Sequence, residues 1–255
     1  MVRRTWLALV SLIGAAALAS GFAVTRSPAV ASKQAVVEGR TTGAWQAPDG
    51  RLQIPIWPNG APDMEGVTKP SESVLTRKTP EAVDGDISQA VFDVTEPMMT
   101  VFPPLGRNTG AAIVVFPGGG FRAVVVTLEG TEICNWIAAR GVTCILSKYR
   151  VPRSNHYWDD ELGRAVTPRV PRALQDAQRT IRLVRAQARA LQIDPARIGV
   201  MGFSAGGYLV AQTSNILEPA YAPVDEIDRI SSRPDFAIVF SRATSAAEMA
   251  SLIRR

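Results

Sequence analysis

Six residues constrain this chain more than any others: Gly202-Phe203-Ser204-Ala205-Gly206-Gly207, placed between the apolar run Ile198-Gly-Val-Met201 and a helix-compatible segment, Tyr208 to Thr213. A G-x-S-x-G string alone says little; strand before and helix after is the context that makes it a nucleophile elbow. Small residues are needed there because side chains at positions 202 and 206 would collide across the turn. The turn holds the Ser204 hydroxyl clear of the sheet, at a helix N-terminus whose dipole favours developing negative charge. The plain alternative is a glycine-rich turn that packs a helix against a strand.

The rest of the chain has the alternation such a turn requires. Ala111 to Phe116 is a continuous apolar run, as expected of a parallel strand buried on both faces. Thr131 to Arg140 reads as helix, and Val142 to Ser147 as a second buried strand. Pro171 to Leu191 reads as a long amphipathic helix, with Leu174, Ala177, Ile181, Val184, Ala188 and Leu191 at spacings of three and four. Arg197 to Phe203 and Asp235 to Phe240 are predicted as a third and a fourth strand. Strands alternating with helices predict an α/β fold with a mostly parallel sheet and helices on both faces. Ahead of it, residues 32–89 are rich in Gly, Pro and charge and are predicted to be an irregular arm. Ala90 to Phe102 reads as extended structure opening the domain 90–255.

Residues 1–31 carry Arg3 and Arg4, an apolar stretch from Trp6 to Leu18, and the small-x-small sites Ala17-Leu-Ala19 and Ala29-Val-Ala31. That is the pattern of a cleaved signal peptide, and it predicts a secreted or periplasmic protein. An uncleaved anchor is the alternative, but the apolar run is only marginal against the about 20 residues a bilayer requires. Cleavage after Ala31 removes Arg3, Arg4 and Arg26 and no acid, leaving only two of the formal +5 charges. No compact basic run remains, so a nucleic-acid partner is rejected. Export would permit a bond between the two cysteines, Cys134 and Cys144. Their places in a helix and in the following strand instead read as buried free thiols.

A second glycine-rich segment, Pro117-Gly118-Gly119-Gly120-Phe121, follows directly on strand Ala111 to Phe116. Three glycines leave backbone N–H groups unobstructed, which suits an oxyanion hole. A phosphate-binding turn is the competing reading, but G-x-G-x-x-G spacing and a Gly-Lys-Ser/Thr ending are both missing. Asp159-Asp-Glu161 and Asp225-Glu-Ile-Asp228 read as solvated loop charges. With no His or Cys ligands beside them, no metal and no cofactor are expected.

Together the glycine loop, Lys148-Tyr-Arg150, Leu174-Gln-Asp-Ala-Gln178, Ile193-Asp-Pro-Ala-Arg-Ile198 and the elbow resemble the α/β-hydrolase esterase/lipase family. The Trp57-Pro-Asn-Gly-Ala-Pro62 segment is similar to its secreted acetyl xylan esterase-like (BD-FAE-like) branch. The resemblance runs over roughly residues 54–240 and implies the three-layer α/β-hydrolase fold. It also implies Ser204 as nucleophile and an oxyanion hole from the N–H groups of Gly119, Gly120 and Ala205. The implied activity is hydrolysis of short acyl or acetyl esters, including polysaccharide-linked ones.

In this fold the triad runs Ser, then Asp or Glu, then His. The sole histidine, His156, precedes Ser204 in the loop Ser154 to Asp160 and is expected to be an ordinary polar residue there. Beyond Phe240 lie only Ser241 to Arg255, whereas a strand–helix–strand unit takes about 30 residues. The chain is therefore expected to be C-terminally incomplete, truncated or frameshifted, without its triad Asp and His. Such a loss leaves a residual of about 10³–10⁴ over water. A non-catalytic carbohydrate-binding or interaction protein on a hydrolase scaffold is the alternative. A serine peptidase of the same fold would usually carry a large extra domain for which there is no room.

Overall fold

The computed structural model describes residues 38–66, 70–79, 87–151, 158–159, 164–165 and 171–240. Residues 1–31, read above as a signal peptide, His156 and residues 241–255 lie outside them. Elements in chain order are β1 (Gly39–Thr42), β2 (Gln53–Pro55), β3 (Ser73–Lys78), β4 (Ile87–Phe92), β5 (Met98–Phe102), β6 (Ala112–Phe116), β7 (Ala123–Val125), α1 (Glu132–Ala138) and β8 (Thr143–Lys148). They continue with β9 (Trp158–Asp159), β10 (Arg164–Ala165), α2 (Pro171–Ala186), β11 (Ile198–Phe203), α3 (Ala205–Asn215) and β12 (Phe236–Phe240).

The main sheet runs in the order β12-β11-β6-β8-β5-β2. β12, β11, β6 and β8 are mutually parallel, while β5 and β2 add antiparallel pairs at one side. Every residue of β6, β8 and β11 is buried, which is why β6 and β11 are apolar without alternation; β8 also buries Thr143, Ser147 and Lys148. The register pairs Phe116 with Gly202, so β6 and β11 end at the same level and their two following loops emerge side by side. α1 packs on β8, and α3 lies over β11, β12 and β6 and against α2.

The described residues between 38 and 89 depart from the irregular arm predicted for 32–89. β1, β3 and β4 form an antiparallel sheet, closed by β7 in the order β1-β3-β4-β7. β1 pairs with β3, and β4 with β7, over more than 30 residues, so no short hairpin signal betrays those pairings. The extended run predicted from Ala90 to Phe102 is likewise two strands in two sheets. Asp93, at φ 56°, breaks it in a left-handed conformation that Asp tolerates.

The predicted helix to Leu191 ends its regular turns at Ala186. Single turns continue through Leu191 N–H to Gln187 O, and Gln192 at φ 54° ends the segment. Cys134 and Cys144 are buried as expected, but they are bonded to each other, with Cα atoms 5.2 Å apart. The helix α1 lies directly on β8, and that packing supplies the proximity that sequence spacing alone does not reveal.

Asp225 and Asp228, read as solvated loop charges, are both ion-paired, and Asp228 is also buried while Asp225 stays partly exposed. Arg179 of α2 binds Asp225 Oδ2 at 2.5 Å and Asp228 Oδ1 at 2.8 Å, and Asp228 is buried. The partner lies 46 to 49 residues away on a helix, beyond the reach of local reading.

Candidate active site

Ser204 is the residue between the end of β11 and the start of α3, at φ 49° and ψ −113°. That backbone conformation costs a non-glycine residue of order 1–3 kcal/mol and persists only where surroundings enforce it. Here they do. A Cβ at Gly206 would sit 1.8 Å from the Phe116 carbonyl oxygen, and one at Gly202 would sit 2.2 Å from the Gly206 oxygen. The Ser204 N–H donates to Phe240 O at 2.8 Å, so β12 also fixes the turn.

The glycine loop reaches the same point from β6. A Cβ at Gly118 would lie 3.2 Å from Ser204 Cβ, 2.8 Å from Phe203 O and 2.7 Å from Glu129 Oε2. Gly118, Glu129 and Ser204 therefore meet around one position. Gly119, at φ 128°, lies with its missing Cβ 2.2 Å from Ala123 O, a place only glycine can take. The Gly119 carbonyl accepts from the N–H groups of Arg122 and Ala123, and the Gly118 carbonyl accepts from Val125 N–H. β7 then pairs with β4, so the small sheet braces this loop from outside.

Of the four residues singled out from sequence, Ser204 and Ala205 are consecutive at the start of α3, and Gly119 and Gly120 follow directly on Gly118 in the loop alongside. Among the described residues, no hydrogen bond engages the N–H of Gly119, Gly120 or Ala205. Gly118 N–H differs: it donates to Glu129 Oε2 at 2.5 Å. Glu129 is buried, and burial pushes its pKa up, against a lowering by the Gly118 N–H. Sequence reading passed over Glu129, one of two glutamates between Val124 and Ile133. It also passed over Tyr149, whose hydroxyl donates to Pro117 O at 2.6 Å and supports the loop from β8.

The sequence segments around Trp57, Arg150 and Asp176 meet at a second place. Asp176 of α2 accepts from Trp57 Nε1 at 2.6 Å, from Arg150 N–H at 2.8 Å and from Arg150 Nε at 3.0 Å. Arg150 also donates to Pro62 O and to Gln175 Oε1, and Gln175 donates to Asp63 Oδ2. This network fastens the Trp57-to-Pro62 segment to α2 and to the end of β8. A pocket of about 260 Å³ lies beside it, lined in part by Trp57, Met64, Glu96 and Met98. It shares no residue with the elbow or the glycine loop. Among the described residues no cluster of His, Cys, Asp or Glu is placed to hold a metal, and no helix is long and apolar enough to cross a membrane.

A parallel sheet with an antiparallel margin, and a serine held at a strand-to-helix turn beside a glycine loop, define an α/β-hydrolase fold. Within it, residues 106–221 match the BD-FAE family model. Over 143 residues the chain is 31% identical to an acetylxylan esterase of Xylanibacter ruminicola, covering 56% of this chain and 25% of that one. The chain thus spans a quarter of the length of that relative. It is also similar to an acetyl ester-xyloside bifunctional hydrolase from Caldicellulosiruptor lactoaceticus, at 27% identity and a TM-score of 0.49, over 74% of this chain and 56% of the other. A thermophilic esterase, Est2, of Thermogutta terrifontis aligns at 29% identity and a TM-score of 0.46, over 59% and 50% of the two chains.

Proposed function

We propose that the protein is a serine carboxylic ester hydrolase for short acyl groups, acetyl above all, including acetyl carried on polysaccharide. The observation that carries this reading is Ser204 at φ 49° with the Gly118 backbone against it. In the proposed reaction Ser204 Oγ attacks the ester carbonyl and passes its proton to a general base, which then protonates the leaving alcohol; the described residues contain no histidine, so the base is not a histidine among them. The tetrahedral oxyanion accepts hydrogen bonds from Gly119, Gly120 and Ala205, and its collapse expels the protonated alcohol. Water then hydrolyses the acyl-serine. The likeness to an acetylxylan esterase supports the choice of acetyl.

Acetate release from acetylated xylan, together with a series of p-nitrophenyl esters of increasing acyl length, tests the reading. Turnover is expected to be fastest for acetate and to fall with acyl length. Rates no higher than those of Ser204→Ala on every ester would overturn it.

The reading extends to export, with the segment 1–31 removed as a signal peptide and the mature protein secreted or periplasmic. The Cys134–Cys144 bond supports this, because disulfides persist in oxidising compartments. N-terminal sequencing of the exported protein is expected to start at Ser32. Protein retained in the cell with Met1 intact would contradict export.

A further inference from the structure

Glu129 stands in the turn Thr127–Thr131 that links β7 to α1, and its side chain reaches back into the loop that precedes β7. A carboxylate is costly to bury unless it is hydrogen-bonded, so its place needs a reason. The elements packed against this turn are β4, β6, β7 and α1. Together they contribute one other ionisable side chain, Glu132, besides the bonded Cys134. Tyr149 and Tyr208 pack on Phe121 at the far end of the loop. No Lys or Arg lies on those four elements, and Glu129 accepts from a backbone amide, Gly118 N–H.

We infer that Glu129 is the positioning residue of the glycine loop, fixing through the Gly118 N–H the backbone turn that presents Gly119 and Gly120 to the carbonyl attacked by Ser204. The inference rests on the serine-esterase reading of Ser204. Five hydrogen bonds define the loop: Gly118 N–H to Glu129, the Tyr149 hydroxyl to Pro117 O, Val125 N–H to Gly118 O, and the N–H groups of Arg122 and Ala123 to Gly119 O. The last three are backbone bonds. The first two depend on side chains and grip the two sides of the peptide entering the loop, Tyr149 at its carbonyl and Glu129 at its N–H. Without an acceptor, the buried Gly118 N–H is relieved most easily by rotating its peptide, and that rotation turns the neighbouring Gly119 amide. Gly118 abuts Ser204 Cβ, so the disturbance reaches the serine directly. A charged acceptor also makes a stronger hydrogen bond than a carbonyl would.

The test compares wild type, Glu129→Gln and Glu129→Ala by kcat and KM on p-nitrophenyl acetate. In parallel, the Gly118 amide is followed by NMR in ¹⁵N-glycine-labelled protein from mildly acid to neutral pH. Glutamine keeps an acceptor and alanine does not. Loss of one oxyanion donor costs about 10²–10³ in kcat, so Glu129→Ala is expected to lose about 100-fold in kcat with KM nearly unchanged. Glu129→Gln is expected to recover most of that loss. The Gly118 amide shift should titrate in wild type above the 4.5 of an ordinary glutamate and be flat in Glu129→Gln. Unchanged kcat in a folded Glu129→Ala protein, or a wild-type Gly118 amide indifferent to pH, would overturn the inference. If Glu129→Ala does not fold, Glu129→Gln and the wild-type titration decide it. Equal rates in wild type and Ser204→Ala would instead sink the esterase reading, and the amide titration would then by itself uphold or overturn the hold of Glu129 on the loop.

Discussion

Trp57 Nε1 donates to Asp176 Oδ1 at 2.6 Å although 119 residues separate them in the chain. The bond closes a buried group in which Arg150 and Asp176 are almost wholly inaccessible. Replacing Trp57 by Phe keeps an aromatic ring beside Tyr221, which the indole meets edge to face at 4.8 Å, but removes the N–H donor together with part of the indole ring. Leaving one buried acceptor position unfilled costs about 1–3 kcal/mol. Urea unfolding of Trp57→Phe is expected to show a loss of that size; an unchanged midpoint would mean the bond contributes nothing.

The elbow makes a sterically sharper prediction. Gly206→Ala would set a methyl group 1.8 Å from the Phe116 carbonyl, and backbone cannot yield as a flexible side chain can. Overpacking of this kind costs about 1–3 kcal/mol, and here the strain falls on the turn that carries Ser204. Esterase activity should drop by more than the loss of folded protein explains, as judged by activity normalised to the circular dichroism signal. Full specific activity in the variant would contradict the tight turn.

Acid should loosen the α2 anchor. Arg179 holds the Asp225 carboxyl below the usual range. Burial opposes the charge on Asp228, but Tyr221, the Val224 N–H and Arg179 outweigh it and lower its pKa as well. The native state therefore binds fewer protons than the unfolded chain at these sites. Their contribution is complete above the ordinary aspartate pKa of 3.8 and drains away as pH falls below it. Asp225 is 40% exposed in its side chain, so solvent screening limits its share to about 1 kcal/mol. Urea midpoints measured from neutral to acid pH should fall less steeply in Asp225→Asn than in wild type.

The disulfide offers an independent check on packing. Both cysteines are fully buried, so dithiothreitol should reduce the bond only when denaturant opens the structure. Replacing both by serine is expected to cost about 2–4 kcal/mol. Rapid reduction in native buffer would contradict the burial.

What sequence made legible, and what it did not, follows from the range of the interactions. β6 and β11 are apolar throughout because both their faces are covered, and the elbow is a local steric requirement; both can be read from a dozen consecutive residues. The Trp57 segment, Arg150 and Asp176 were visible as separate words, and only the fold brings them into contact. The small sheet was illegible because β3 and β4 carry Thr76 opposite Gln89 in place of a clean apolar alternation, and β4 closes on β7 more than 30 residues later. Arg179 with Asp225 and Asp228, and Glu129 with Gly118, are likewise pairings of charge that only tertiary structure supplies.

The central claim is that Ser204 is an activated nucleophile. The most direct measurement is hydrolysis of p-nitrophenyl acetate by the purified protein beside Ser204→Ala. The account predicts turnover in the wild type that disappears in the variant, with both proteins equally folded. Equal rates in the two would mean that Ser204 attacks nothing, and the assignment of this site as an esterase centre would be wrong.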